Sequence, residues 1–193
     1  MRKPQELVAR KTDIRIIVLL KVLGILFFCF ATAAGALVRI PLPFTPVPLT
    51  LQTFFVLLSG LALGSAYGAT SMTLYLLFGM LGLPFFAGEA SGASWLLGPT
   101  GGYLIGFIAA SSIAGIAAHP DTKPLLRIGY LILSTMLILI MGTIGLSLYS
   151  GQSIISSLVP GVAPFIPGDI LKLVTAYGMW QSGKRIVKHV FER

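Results

Sequence analysis

Phe165-Ile-Pro-Gly-Asp-Ile-Leu-Lys172 is the stretch on which the reading of this chain turns. From Tyr130 to Gln181 the sequence is almost entirely apolar, small or hydroxylic, and Asp169 and Lys172 carry its only formal charges. Three residues apart on a helix, they share a face about one turn apart. A charge at mid-bilayer costs roughly 2.5–3.5 kcal/mol on insertion scales, and less near an interface. Two opposite charges on one face can pair, or be held apart for a polar guest. The same residues also read as a plain helix entry. Pro167-Gly168-Asp169 has the form of a turn followed by an N-cap, and Lys172 is long enough to snorkel to headgroups.

Composition decides the surroundings of that stretch. The chain has 193 residues, 55% hydrophobic and 10% charged, where a soluble domain carries about 25% charged residues. Mean hydropathy is +0.91. The net charge of +8 raises nucleic acid as a partner. The distribution excludes that, because the basic residues cluster at the chain ends and in one short loop, as in a membrane protein. A single cysteine, Cys29, excludes an internal disulfide and a multi-cysteine metal site. The sequence has no asparagine, hence no N-glycosylation sequon.

Six membrane spans are expected, at about 20 residues per crossing. They run over 22–38, 50–63, 69–84, 98–118, 125–149 and 165–181, so that 1–193 is a single membrane domain with a six-helix bundle over 22–181. A basic segment, 1–21, precedes it and a basic tail, 182–193, follows. Ala31-Thr32-Ala33 resembles a signal-peptide cleavage site, but the apolar run continues to Val38. Arg39-Ile-Pro-Leu-Pro-Phe-Thr-Pro-Val-Pro-Leu49 cannot be regular helix, given its four prolines. It reads as a stiff, apolar extended loop lying on the protein like a lid. Residues 85–97 and 150–164 read as further loops.

Six spans put both termini on one side. Twelve of the fourteen Lys and Arg fall there, with only Arg39 opposite and Lys172 inside a span. The positive-inside rule makes that side cytoplasmic. The three long loops then face outward, with Asp169 and Lys172 just beneath them. Ala31/Gly35 and Thr32/Ala36 are small-xxx-small pairs, suited to close packing within the bundle or to docking of a partner membrane protein.

Catalytic motifs do not survive inspection. Gly178-Met-Trp-Gln-Ser-Gly183-Lys184 approaches a Walker A loop, but Arg185 stands where Ser or Thr would hold magnesium, and no strand precedes it. His119 and His189 lie in unrelated segments at the cytoplasmic rim, so no zinc site or serine–histidine dyad converges. No catalytic residue, metal site or cofactor is expected. Gly98-Pro-Thr-Gly-Gly102 reads either as a helix-entry turn or as backbone N–H groups for an anion.

Three stretches together resemble the BioY family. They are Arg39-Ile-Pro with Pro-Leu-Thr-Leu-Gln-Thr53, Leu97-Gly-Pro-Thr-Gly-Gly-Tyr-Leu-Ile-Gly-Phe107, and Phe165-Ile-Pro-Gly-Asp-Ile-Leu-Lys172. The likeness runs from about Leu37 to Lys172. It implies the biotin-specific S component of an energy-coupling-factor (ECF) vitamin transporter in a prokaryotic plasma membrane. It also implies a partner module, a transmembrane coupling protein with two ATPase subunits, and a sliding face on the first span at Ala31 and Gly35, a loose match to an alanine–alanine pair. Biotin has a ureido head, an apolar sulfur ring and an anionic tail. Asp169 can accept ureido N–H bonds. Lys172 can donate to the ureido carbonyl or pair with the carboxylate. Thr50, Gln52 and Thr53 can add neutral hydrogen bonds. Phe44, Tyr75, Trp95 and Tyr103 can wall the sulfur ring. Arg39, or the N–H groups near Gly101 and Gly102, can take the carboxylate. The rival readings are an S component for another vitamin, a facilitator acting alone, and a membrane-embedded enzyme.

Overall fold

The computed structural model describes residues 4–191, with side chains described over 15–184. Seven α-helices and one short hairpin account for most of it. Helix α1 (Pro4–Leu37) begins well before the apolar run and leads into strands β1 (Arg39–Leu42) and β2 (Thr45–Thr50). Then come α2 (Gln52–Leu63), α3 (Ser65–Met80), a 3-10 turn (Ala93–Leu97), α4 (Gly101–Ala118), α5 (Pro124–Ser150), α6 (Ile154–Val162) and α7 (Ile166–Phe191).

Close contacts fix the direction of each helix. Gly35, late in α1, lies against Gln52 at the start of α2. Gly115, late in α4, lies against Gly64 and Ser65 at the α2–α3 turn. Gly102, early in α4, meets Met141 and Gly145 late in α5. The helices therefore alternate up and down. One end gathers the hairpin, the 81–100 segment and α6. The other gathers the α2–α3 turn and the α4–α5 loop. At that second end the Arg127 guanidinium lies 5.1 Å and the Lys184 ammonium 5.6 Å from the Trp180 ring centroid. Such aromatic–cation groupings belong at a membrane interface.

Three helical segments are long and apolar enough to cross a bilayer: Arg15–Leu37 of α1, α4 and α5. The α6–α7 pair passes as a fourth if taken as one span, bent by 56° at its break. Helices α2 and α3, of 12 and 16 residues, are shorter than the expectation of six full-length spans. At a rise of 1.5 Å per residue, α2 extends only about 18 Å. The outward surface is nonetheless greasy: Phe27 is 63% exposed, and Val18, Leu23 and Phe30 stand out beside it. Large apolar patches of this kind need a nonaqueous cover.

Two expected loops are structured. Residues 39–50 form an antiparallel hairpin pairing Arg39 with Thr50, Ile40 with Leu49 and Leu42 with Thr45. The fixed φ of proline suits extended chain, and a two-stranded ribbon leaves outer edges where no N–H is needed. Leu51 N–H ties the stem to the carbonyls of Gly35 and Val38. Within 150–164, Ser153 caps α6 by accepting the Ser156 N–H. The small-residue stripe of α1 packs partly inward, with Ala31 left half-buried. Gly35 packs on Phe55 and Gln52 of α2, and Thr32 and Ala36 are fully buried. Gly35, Thr32 and Ala36 therefore face α2 and the bundle interior, whereas Ala31 keeps part of its surface exposed.

Candidate binding site

The site lies at the hairpin end, where α2, α4, α5 and α7 diverge. A cavity of about 510 Å3, its open mouth included, sits beneath β2 and beside the break before α7. Phe165, Asp169 and Lys172 recur at helical spacing and line one wall. Thr100, at the N-cap of α4, and Tyr103, Leu104 and Phe107 within α4 repeat the pattern. Ile138 and Leu139 of α5 extend the apolar wall, and Val47 and Pro48 of β2 form the roof.

Asp169 and Lys172 do meet. The Lys172 ammonium lies 2.9 Å from Asp169 Oδ1, and both residues are buried, at 8% and 4% exposure. Thr53, from the first turn of α2, completes the cluster. Its hydroxyl accepts from Lys172 Nζ at 2.9 Å and donates to Asp169 Oδ1 at 3.2 Å. A buried ion pair needs such added hydrogen bonds to offset its desolvation. Neither residue is an idle cap or a lysine snorkelling outward.

A second polar chain runs behind the first. Thr50 Oγ1 donates to Gln52 Oε1 at 3.0 Å. Gln52 Nε2 donates to the Tyr75 hydroxyl, which donates to the Phe85 carbonyl at 3.2 Å. Thr50 and Gln52 line the cavity, while Tyr75 is fully buried behind Gln52 and stacked on Phe85. Tyr103 lines the cavity with its ring and donates to the Gly161 carbonyl at 2.7 Å, fastening α6 to α4.

Other expected residues lie elsewhere. Phe44 sits at the hairpin tip, 63% exposed. Arg39 is exposed at the hairpin base and lies over Gly88. Gly101 gives its N–H to the Gly98 carbonyl. Gly102 faces α5, where an added Cβ would fall 2.2 Å from the Met141 carbonyl oxygen. Neither glycine is among the cavity-lining residues. Trp95 is half-buried in the 3-10 turn just before α4. Its Nε1 and the Thr100 hydroxyl are the buried side-chain polar atoms without a partner among the described residues. Thr100 stands three residues before Tyr103, the spacing of one helix face. Leu104 and Phe107 were legible from the same periodicity.

The chemistry of the cavity is that of binding. Apolar and aromatic walls enclose a donor–acceptor pair at the base and an unpartnered hydroxyl on α4. An up-and-down bundle of apolar helices with such a pocket at one end defines a membrane-embedded solute-binding protein. The comparisons with known proteins agree. Residues 8–189 match the BioY family model. The chain is 40% identical over 151 residues to the probable biotin transporter BioY of Pyrococcus horikoshii, covering 77% of this chain and 86% of that one. It is 38% identical over 149 residues to the biotin transporter BioY of Thermotoga maritima, with the same coverage, 77% and 86%. Its fold is similar to the crystal structure of an S-component for biotin from an ECF-type ABC transporter, with a TM-score of 0.77, 24% identity and 96% and 95% of the two chains covered. The chain belongs to the BioY family.

Proposed function

We propose that this chain captures biotin at the outer face of the membrane and mediates its uptake as the S component of an ECF-type transporter. It is a transporter component, not an enzyme. The observation that carries the reading is the Asp169–Lys172 pair at the base of an apolar pocket, in a chain whose relatives are biotin transporters. A cyclic urea offers N–H donors beside a carbonyl acceptor. A carboxylate and an ammonium side by side are its complement. The sulfur ring then rests on Tyr103, Phe107 and Phe165, and the anionic tail reaches the Thr100 hydroxyl and Trp95 Nε1. Burying the ureido head unpaired would cost roughly 1–3 kcal/mol per group.

In this reading α1, α2, α3, α4, α5 and α7 are the six crossings of one membrane domain. The basic flanks, 1–21 and 182–193, lie in the cytoplasm of a prokaryotic cell, as the positive-inside rule requires. Energy comes from a separate module, a transmembrane coupling protein with two ATPase subunits. Calorimetric titration of the detergent-purified chain tests the ligand assignment, with thiamine and riboflavin as controls. Saturable binding of biotin alone is expected. Binding of another vitamin instead, by a folded protein, would overturn it.

A further inference from the structure

Thr53 is placed unlike any other hydroxyl of the cavity. It stands in the first turn of α2, across the helix interface from Asp169 and Lys172. Asp169 Oδ1, Lys172 Nζ and Thr53 Oγ1 form a closed triangle with sides of 2.9, 2.9 and 3.2 Å. The hydroxyl has one proton, and it goes to Asp169. One of its lone pairs goes to Lys172. Little of Thr53 is left for a ligand.

The triangle has a directional consequence. Among the described residues, both side-chain hydrogen bonds to the Asp169 carboxylate end on Oδ1. Oδ2 is left as an acceptor. The ammonium has three protons, and two are engaged, by Asp169 and by Thr53. One donor and one acceptor therefore remain on residues that line the cavity. Without the hydroxyl, the ammonium loses one of its anchors and is free to swing across both carboxylate oxygens. It would then occupy the acceptor that a cyclic urea needs.

We propose that Thr53 is a positioning residue for ligand binding: its hydroxyl holds Lys172 on one oxygen of Asp169 and so keeps the other oxygen and one ammonium proton directed at the guest. This rests on the biotin reading given above. It assigns Thr53 a role through Asp169 and Lys172, not a contact with the ligand.

Three proteins decide it: the wild type, Thr53→Val and Thr53→Ser, each purified as the full chain and titrated with biotin. Valine keeps the shape and loses the hydroxyl, whereas serine does the reverse. Hydrogen bonds to charged groups of this kind correspond to at least about a tenfold change in Kd, so Thr53→Val should weaken binding by that factor. Thr53→Ser should stay within about threefold of the wild type. A packing role predicts the opposite order, and that result overturns the proposal, as does equal binding by all three. If Thr53→Val does not fold, Thr53→Ala against Thr53→Ser makes the same comparison: weak binding by alanine alone supports the role, and equal binding ends it. Absence of biotin binding by folded wild type sinks the functional reading itself, and the role of Thr53 with it.

Discussion

Thr100 is buried with an unpartnered hydroxyl, a state that costs roughly 1–3 kcal/mol when no ligand answers it. Thr100→Val should therefore leave the empty protein as stable or more stable by about 1 kcal/mol, while weakening biotin binding several-fold. Thermal unfolding and titration of the same sample check both signs. The ion pair predicts a different pattern. Asp169→Asn or Lys172→Met strands one charge in an apolar site, which costs about 3–5 kcal/mol. Replacing both, Asp169→Leu with Lys172→Met, should recover much of the lost stability and none of the binding. A double variant less stable than either single one would count against a paired, desolvated state. Asp169 and Lys172 were legible because charges in an apolar run are conspicuous. A ring in the sequence does not say which way it points, and Phe44 stands exposed at the hairpin tip while Trp95 is half-buried. Thr100 was passed over because a hydroxyl in a turn has many ordinary uses.

Helices α2, α3 and α4 cross where side chains have been pared away. A Cβ on Gly60 would fall 2.1 Å from the Ser111 carbonyl oxygen, and the Ser59 and Ser111 hydroxyls meet at 2.8 Å. Gly60→Ala should cost about 1–3 kcal/mol through overpacking against backbone. Gly178→Ala, in open space within α7, should instead raise stability by up to about 1 kcal/mol through helix propensity. Denaturation of the two variants side by side separates the effects. The pattern of apolar segments placed α2 to α5 and α7 near their observed positions, and for α1 only its C-terminal half. It missed the 39–50 hairpin, because prolines announce only what a segment is not. It missed α6, whose nine residues and internal Pro160 look like loop in the sequence. It also left open which way the α1 stripe faced, since small residues serve internal seams and external docking alike.

Across the whole molecule the two ends differ in kind. The hairpin end holds the cavity, and the opposite end holds Arg127 and Lys184 around Trp180. The native cysteine, Cys29, is fully buried and leaves a low labelling background. In intact cells a membrane-impermeant maleimide should modify Phe44→Cys and should reach Ser182→Cys only after permeabilisation. The reverse pattern would invert the proposed topology. Charge asymmetry carried that topology in the sequence, whereas the shortness of α2 and α3 was hidden because apolar turns extend the hydropathy on either side.

The triangle of Asp169, Lys172 and Thr53 also has an electrical meaning. Among the lining residues of the cavity the formal charges are one negative and one positive, so the empty site is neutral. In the proposed reading, biotin brings a carboxylate that this neutral site does not cancel. Moving one negative charge inward against a potential of 100 mV, inside negative, takes about 2.3 kcal/mol of work. On that reading the membrane voltage opposes inward passage of a loaded site and leaves an empty one unaffected. Inward delivery would have to be driven, while the return of the empty site would be free of that electrical load.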